Sequence, residues 1–267
     1  MGQAKNGTVT LAKGTMDYIR FGGGKEVLII LPGLGDGLKT VKGTAVPMAV
    51  MYRIFAKEFT VYAFSRKEPL PEGYSTRDMA RDQAEAMEIL GIPKAHVFGV
   101  SMGGMIAQYL AIDYPDKVDK LILTVTAARA NDILTESVAE WIALAEVGDA
   151  GAFMDSNLRR IYSESYYRKN KWMAPVVGRL TKPKSYDRFF VQAKACLGHD
   201  AFDQLCCIRA KTLVVGGERD LALGGEASRE IAGRIGGAEL RMYPQWGHGL
   251  YEEEPAFNGM VLEFLTK

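Results

Sequence analysis

The chain has few of the residues that staple a protein or hold a metal: its 267 residues include three cysteines and three histidines. Cys206 and Cys207 are adjacent, and together with Cys196 they make no disulfide framework. A reducing compartment is expected, so the expected location is the cytoplasm. No apolar run approaches the roughly 20 residues of a membrane-spanning helix. The opening, MGQAKNGTVT, has no apolar stretch of the secretory kind. An excess of one charge is missing too. Lys and Arg number 33 against 32 Asp and Glu, a net +1 that gives no general reason to expect nucleic acid or a membrane as partner. There is no internal repeat and no low-complexity tract. What is plentiful is hydrophobic residues, 48% of the chain, enough for a real core in one large α/β domain or two small ones.

Those residues fall into strand-sized runs. Thr8 to Ala12 and Met16 to Phe21 read as an antiparallel pair turning at Lys13-Gly14. Glu26 to Leu31 is a continuous apolar run of the kind a strand shows when both faces of a parallel sheet are covered. Similar runs recur at Phe59 to Phe64, Ala95 to Val100, Lys120 to Val125, Thr212 to Val215 and Glu239 to Tyr243. The chain between them is long enough for crossover helices. Helices are expected at Val46 to Glu58, from Ser75 or Thr76 to Leu90 with Gly91 ending it, at Glu226 to Ile235, and from Pro255 to Leu265. This is an α/β pattern with a mostly parallel, doubly wound sheet.

One interval is too long. Strands start 25 to 36 residues apart except between 120 and 212, where about 60 residues are surplus to a crossover. Residues 127–195 are helical in character, at Val138 to Val147, Ala150 to Tyr162 and Asp187 to Cys196, and rich in aromatics. An insertion at the carboxyl end of a strand lies over the crevice where open α/β sheets bind ligands. It reads as a helical cap, or lid, on a core made of residues 1–126 and 196–267. From Asp155 to Lys194 it carries ten Lys or Arg and three Asp or Glu. Such a surface either attracts an acidic substrate or is a solvated helix face.

The chemistry centres on residues 97–104, VFGVSMGG: a strand, a sharp turn with Ser101 at its apex, then a helix. Glycines two residues before and after the serine suit a turn that crowds strand against helix. With 29 Gly and 9 Ser, chance gives about 0.1 such matches per chain, and far fewer with the flanking strand and helix. A serine nucleophile needs a base and an acid to orient that base. His96 lies inside the strand before the turn and reads as structural; His199 reads as surface or lid. His248, in Gln245-Trp246-Gly247-His248-Gly249, follows the last strand, and its flanking glycines let the loop turn back over the sheet edge. Asp220, just past the strand Thr212 to Val215, is the preferred acid; Glu218 and Asp132 also follow strand ends. A pair of N–H groups must then hold the oxyanion. One is expected from Met102. Pro32-Gly33-Leu34-Gly35 is the loop placed to give the other, from Leu34. That loop lacks the Gly-rich and Lys-Ser/Thr patterns of phosphate cradles.

At this point the chain resembles the α/β-hydrolase family, in its lid-bearing branch of esterases and related hydrolases. The resemblance runs almost end to end and rests on LPGLG at 31–35, GVSMGG at 99–104, LVVGGERD at 213–220 and WGHG at 246–249. It implies a triad of Ser101, His248 and Asp220, an oxyanion hole at Leu34 and Met102, and no cofactor or metal. Two departures stand out. Pro32-Gly33 replaces the family's frequent His-Gly, and Ser65-Arg66-Lys67 opens a segment where an Asp-x-x-Gly turn is common. The expected activity is acyl transfer to water from a small or medium-sized carboxylic ester. Enol-lactone, thioester and carbon–carbon cleavage use the same triad, and a ligand receptor uses the same scaffold, so all stay open.

Overall fold

A computed structural model describes residues 3–267. Eight strands form one sheet: β1 (Lys5–Leu11), β2 (Gly14–Gly22), β3 (Glu26–Leu31), β4 (Phe59–Glu68), β5 (Ala95–Val100), β6 (Val118–Thr124), β7 (Lys211–Gly217) and β8 (Glu239–Tyr243). Their order in space is β1-β2-β4-β3-β5-β6-β7-β8. β1 with β2 and β2 with β4 are antiparallel; every other pair is parallel. Chain order reverses around β3, between β4 and β5, which opens a crevice at the carboxyl ends of these strands.

Successive residues of β3 feed opposite cores. Ile29 and Leu31 join the cluster that includes the helices α2 (Thr76–Ile89) and α3 (Met102–Asp113). Leu28 and Ile30 join the other, which includes residues at both ends of α1 (Ala45–Met51) and the closing helix, Phe257–Thr266. With both faces covered, an unbroken apolar run is the sequence that fits. β4 departs from the expected end at Phe64. It continues through Ser65, Arg66 and Lys67, polar yet buried: the Ser65 hydroxyl accepts from Val41 N–H at 2.9 Å, Lys67 pairs with Asp82 at 3.2 Å, and one Arg66 nitrogen donates to the Pro32 carbonyl.

Helix ends follow their caps. Ser75 caps α2 in a reciprocal box with Asp78, and Gly91 follows at φ 67°. α1 stops at Met51, short of the expected Glu58. The chain beyond it tightens into turns, such as Phe55 N–H to Tyr52 O at 3.0 Å, that bury Tyr52 and Phe55.

Between β6 and β7 stand five helices: α4 (Asp132–Glu146), α5 (Ala150–Ile161), α6 (Glu164–Asn170), α7 (Ala174–Thr181) and α8 (Asp187–Leu197). α4 starts six residues before the expected Val138, capped by Asn131 accepting from Leu134 N–H. α6 and α7 were not expected; α7 buries only Ala174 and Gly178. The small Gly178 lets α7 press against α5, since a Cβ there would strike the Ala150 carbonyl. α9 (Glu226–Arg234), α10 (Leu250–Glu253) and α11 (Phe257–Thr266) complete the chain. Pro255 precedes the α11 cap residue, Ala256, instead of opening the helix.

Candidate active site

Ser101 sits between β5 and α3 with φ 53° and ψ −122°, a conformation that side chains other than glycine rarely adopt. It is pinned there by Ser101 N–H to Thr124 O at 2.9 Å and Gly104 N–H to Ser101 O at 2.8 Å. The glycine spacing has a direct cause. A Cβ at Gly99 would lie 2.6 Å from the Gly103 carbonyl oxygen, and one at Gly103 would collide with the Leu31 carbonyl. α3 then runs inward with every residue from Met102 to Ala111 buried.

Across the crevice, His248 Nδ1 lies 2.8 Å from Asp220 Oδ2, and both side chains are buried. Asp220 is itself held, its Oδ1 accepting from Ala222 N–H at 2.8 Å and Leu223 N–H at 2.9 Å. A carboxylate only accepts, so Nδ1 carries a proton, and in the neutral imidazole Nε2 has the lone pair. No direct hydrogen bond joins Ser101 to His248; both line one cavity of about 380 Å³. The insertion fixes the histidine loop from above. Gly249 N–H donates to Ile161 O at 2.6 Å, and Ser163 Oγ donates to Glu253 at 2.6 Å.

The loop after β3 reaches the same spot: a Cβ on Gly33 would stand 3.3 Å from Ser101 Cβ. Leu34 N–H opens a short 3₁₀ turn, Leu34–Gly37, and Met102 N–H opens α3; neither donates to a backbone carbonyl among the described residues. The cavity between is mostly apolar. Leu34 and Met48 line it from the core, Phe153, Ile161 and Phe189 from the insertion, with polar groups from Asn157, Lys39, Thr40 and Thr44.

Sequence reading missed what holds this loop. Asp36, fully buried, accepts from Arg66 N–H at 3.1 Å and pairs with Arg188 of α8 at 2.5 Å. Arg188 also donates to the carbonyls of Asp36, Arg66 and Lys67, at 3.1, 2.9 and 2.7 Å. Arg66 donates to the Pro32 carbonyl at 2.6 Å. Burial pulls the Arg66 pKa below its usual value, against the opposing pull of Asp36. The only hint in sequence was the polar Ser65-Arg66-Lys67 where the resemblance expects a different turn.

The other titratable residues lie apart. His199 is buried, not on the surface or lid face: its ring meets Thr76 Oγ1 at 2.9 Å and Gln108 Oε1 at 3.3 Å, and burial lowers its pKa to about 3. His96, buried between Glu26 and Asp119, has its pKa lowered by burial. Glu218 pairs with Arg229, and Asp132 is exposed in the first turn of α4. Burial pushes the Cys196 thiol up to about 12. Among the described residues no cluster of three His, Cys, Asp or Glu forms that could hold a metal.

Residues 26–255 match the family model described as alpha/beta hydrolase fold. The chain is 26% identical, over 96% of its length and 98% of the relative's, to a protein of a Caulobacter species named as a carbamate hydrolase. It is likewise 26% identical, over 92% of its length and 90% of the relative's, to a 2-hydroxy-6-oxononadienedioate/2-hydroxy-6-oxononatrienedioate hydrolase of a Pseudomonas species. Among solved structures it superposes with a TM-score of 0.86 on an alpha/beta hydrolase from a Medee basin deep-sea metagenome library, at 22% identity and 98% coverage of both chains.

Proposed function

The chain belongs to the alpha/beta hydrolase family, and from that premise we propose that it is a serine hydrolase cleaving a carboxylic ester of a small or medium-sized substrate. The carrying observation is the buried His248–Asp220 pair sharing a cavity with Ser101 on its strained turn. In this reading His248 Nε2 takes the Ser101 proton as Oγ attacks the carbonyl carbon. Asp220 stabilises the imidazolium, and Leu34 N–H and Met102 N–H receive the oxyanion. The leaving alcohol takes the proton from His248. Water, deprotonated by the same nitrogen, then frees the acid and restores Ser101. A cavity of about 380 Å³ lies near the lower end of small-molecule sites, which supports a compact substrate.

The test is labelling with a fluorophosphonate and turnover of p-nitrophenyl esters of rising acyl length, in wild type and Ser101→Ala. Labelling and turnover confined to wild type support the reading. An unlabelled wild type that binds ligand without turnover makes the chain a receptor. Likeness to proteins named as carbamate hydrolases over nearly the whole chain favours a second reading, carbamate cleavage. The same serine and oxyanion donors serve both. A higher kcat/KM on a p-nitrophenyl carbamate than on the matching ester selects it.

A further inference from the structure

The insertion turns apolar side chains outward. Over Lys171–Met173 and α7, Ala174 and Gly178 face the protein, while Trp172, Val176 and Leu180, four residues apart, are 73%, 58% and 81% exposed. Spacing of four keeps the three on one side of a helix, opposite the buried pair. This inverts the usual surface helix, whose apolar stripe faces the core. The segment that carries the stripe is rich in cations. Residues 164–184 hold six Lys or Arg and one acid, Glu164, which pairs with Arg168 at 2.6 Å. Lys169, Lys171, Arg179 and Lys184 have no carboxylate within 4 Å among the described residues.

We propose that this face, Trp172, Val176 and Leu180 with Lys169, Lys171, Arg179 and Lys184 of the same segment, docks the protein on an anionic lipid surface. An exposed apolar stripe with a tryptophan, flanked by lysines and arginine, is the pattern of an element lying in the headgroup layer. The apolar side chains enter the acyl boundary and the cations meet lipid phosphates. A second copy docked face to face would set two such cationic segments against each other, so charge disfavours it. The net charge of the whole chain, +1, hides this local excess.

The experiment is flotation of the full-length protein with vesicles of phosphatidylcholine alone and of phosphatidylcholine mixed with phosphatidylglycerol, at low and high salt. Binding is expected on the mixed vesicles only, falling with salt. Lys169→Gln with Lys171→Gln should weaken it by roughly tenfold or more. Trp172→Ser should also weaken it, by a factor on the order of ten. Thermal unfolding of each variant checks the fold. Absence of binding to mixed vesicles overturns the proposal, as does binding unchanged in the folded variants. A dimer in solution that Leu180→Glu dissociates overturns it as well, by giving the stripe to a second copy.

Discussion

The cavity has two walls, and the sheet wall is built in the opposite way to the outer edge of the insertion that caps it. On the sheet side, Ser101 rides a turn whose backbone is strained, pinned on both sides and followed by a helix buried over ten consecutive residues. At that outer edge α7, which does not line the cavity, buries only Ala174 and Gly178 and shows Val176 and Leu180 to solvent. The inner elements of the insertion behave like the core: α4 and α5 bury Trp141 and Phe153, α8 sends Arg188 down to Asp36, and Gly37 packs under Phe189. Atoms that must meet a reacting carbonyl need fixed positions, whereas a cover needs only a few anchors and leaves the remaining surface free for other contacts.

Substitutions along this contrast should fall in a definite order. Ser101→Ala is expected to lower kcat on esters by roughly 10⁴ to 10⁶ while leaving thermal unfolding close to wild type. Retention of turnover would remove the sheet wall from the chemistry. Asp220→Asn should lower kcat by about 10⁴, since the amide holds the imidazole in the wrong tautomer. Next comes the anchor between the walls. Arg188→Ala strips a buried partner from Asp36 and should destabilise by about 3 kcal/mol in denaturant unfolding, with a fall in kcat as the loop at Leu34 loosens. A loss under about 0.5 kcal/mol would place α8 with the free part of the cover.

A graded effect of comparable size comes from His199. Its pKa drops from 6.5 to about 3 on folding, so the unfolded chain binds a proton first as pH falls. The stability is fully present above pH 6.5 and is lost as pH falls toward 3, by about 1.4 kcal/mol per pH unit from this group. Urea unfolding between pH 6.5 and 4 should show that slope, and His199→Gln should flatten it. Smallest of all, Trp172→Ser should shift stability by no more than roughly 0.5 kcal/mol, because the ring is exposed.

What the sequence made legible was local. Strand-sized apolar runs marked all eight strands, and glycine spacing marked the turn at Ser101. His248 and Asp220 followed strand ends, where the sheet brings them together. The contacts that hold the loop at Leu34 join residues 36, 66 and 188, too far apart in the chain for any spacing to reveal. Arg66 in particular looks like loop until the fold buries it within β4. α6 and α7 escaped notice because the positions α7 buries are Ala174 and Gly178, small residues that leave almost no mark on a hydrophobic pattern. His199 looked like lid because its partners, Thr76 and Gln108, lie 123 and 91 residues away.

The burial of α3 also has an electrical side. Its twelve residues, Met102–Asp113, align their peptide dipoles along one axis, and the positive end opens at Met102, beside Ser101. Such an end behaves as roughly half an elementary charge, and salt or water screens it chiefly where the helix is exposed. Packed on every side, α3 keeps its field in a poorly polarisable medium and directs it into the cavity. Negative charge developing on a substrate oxygen would meet a fixed positive potential that no ionisable side chain supplies, and that therefore does not titrate.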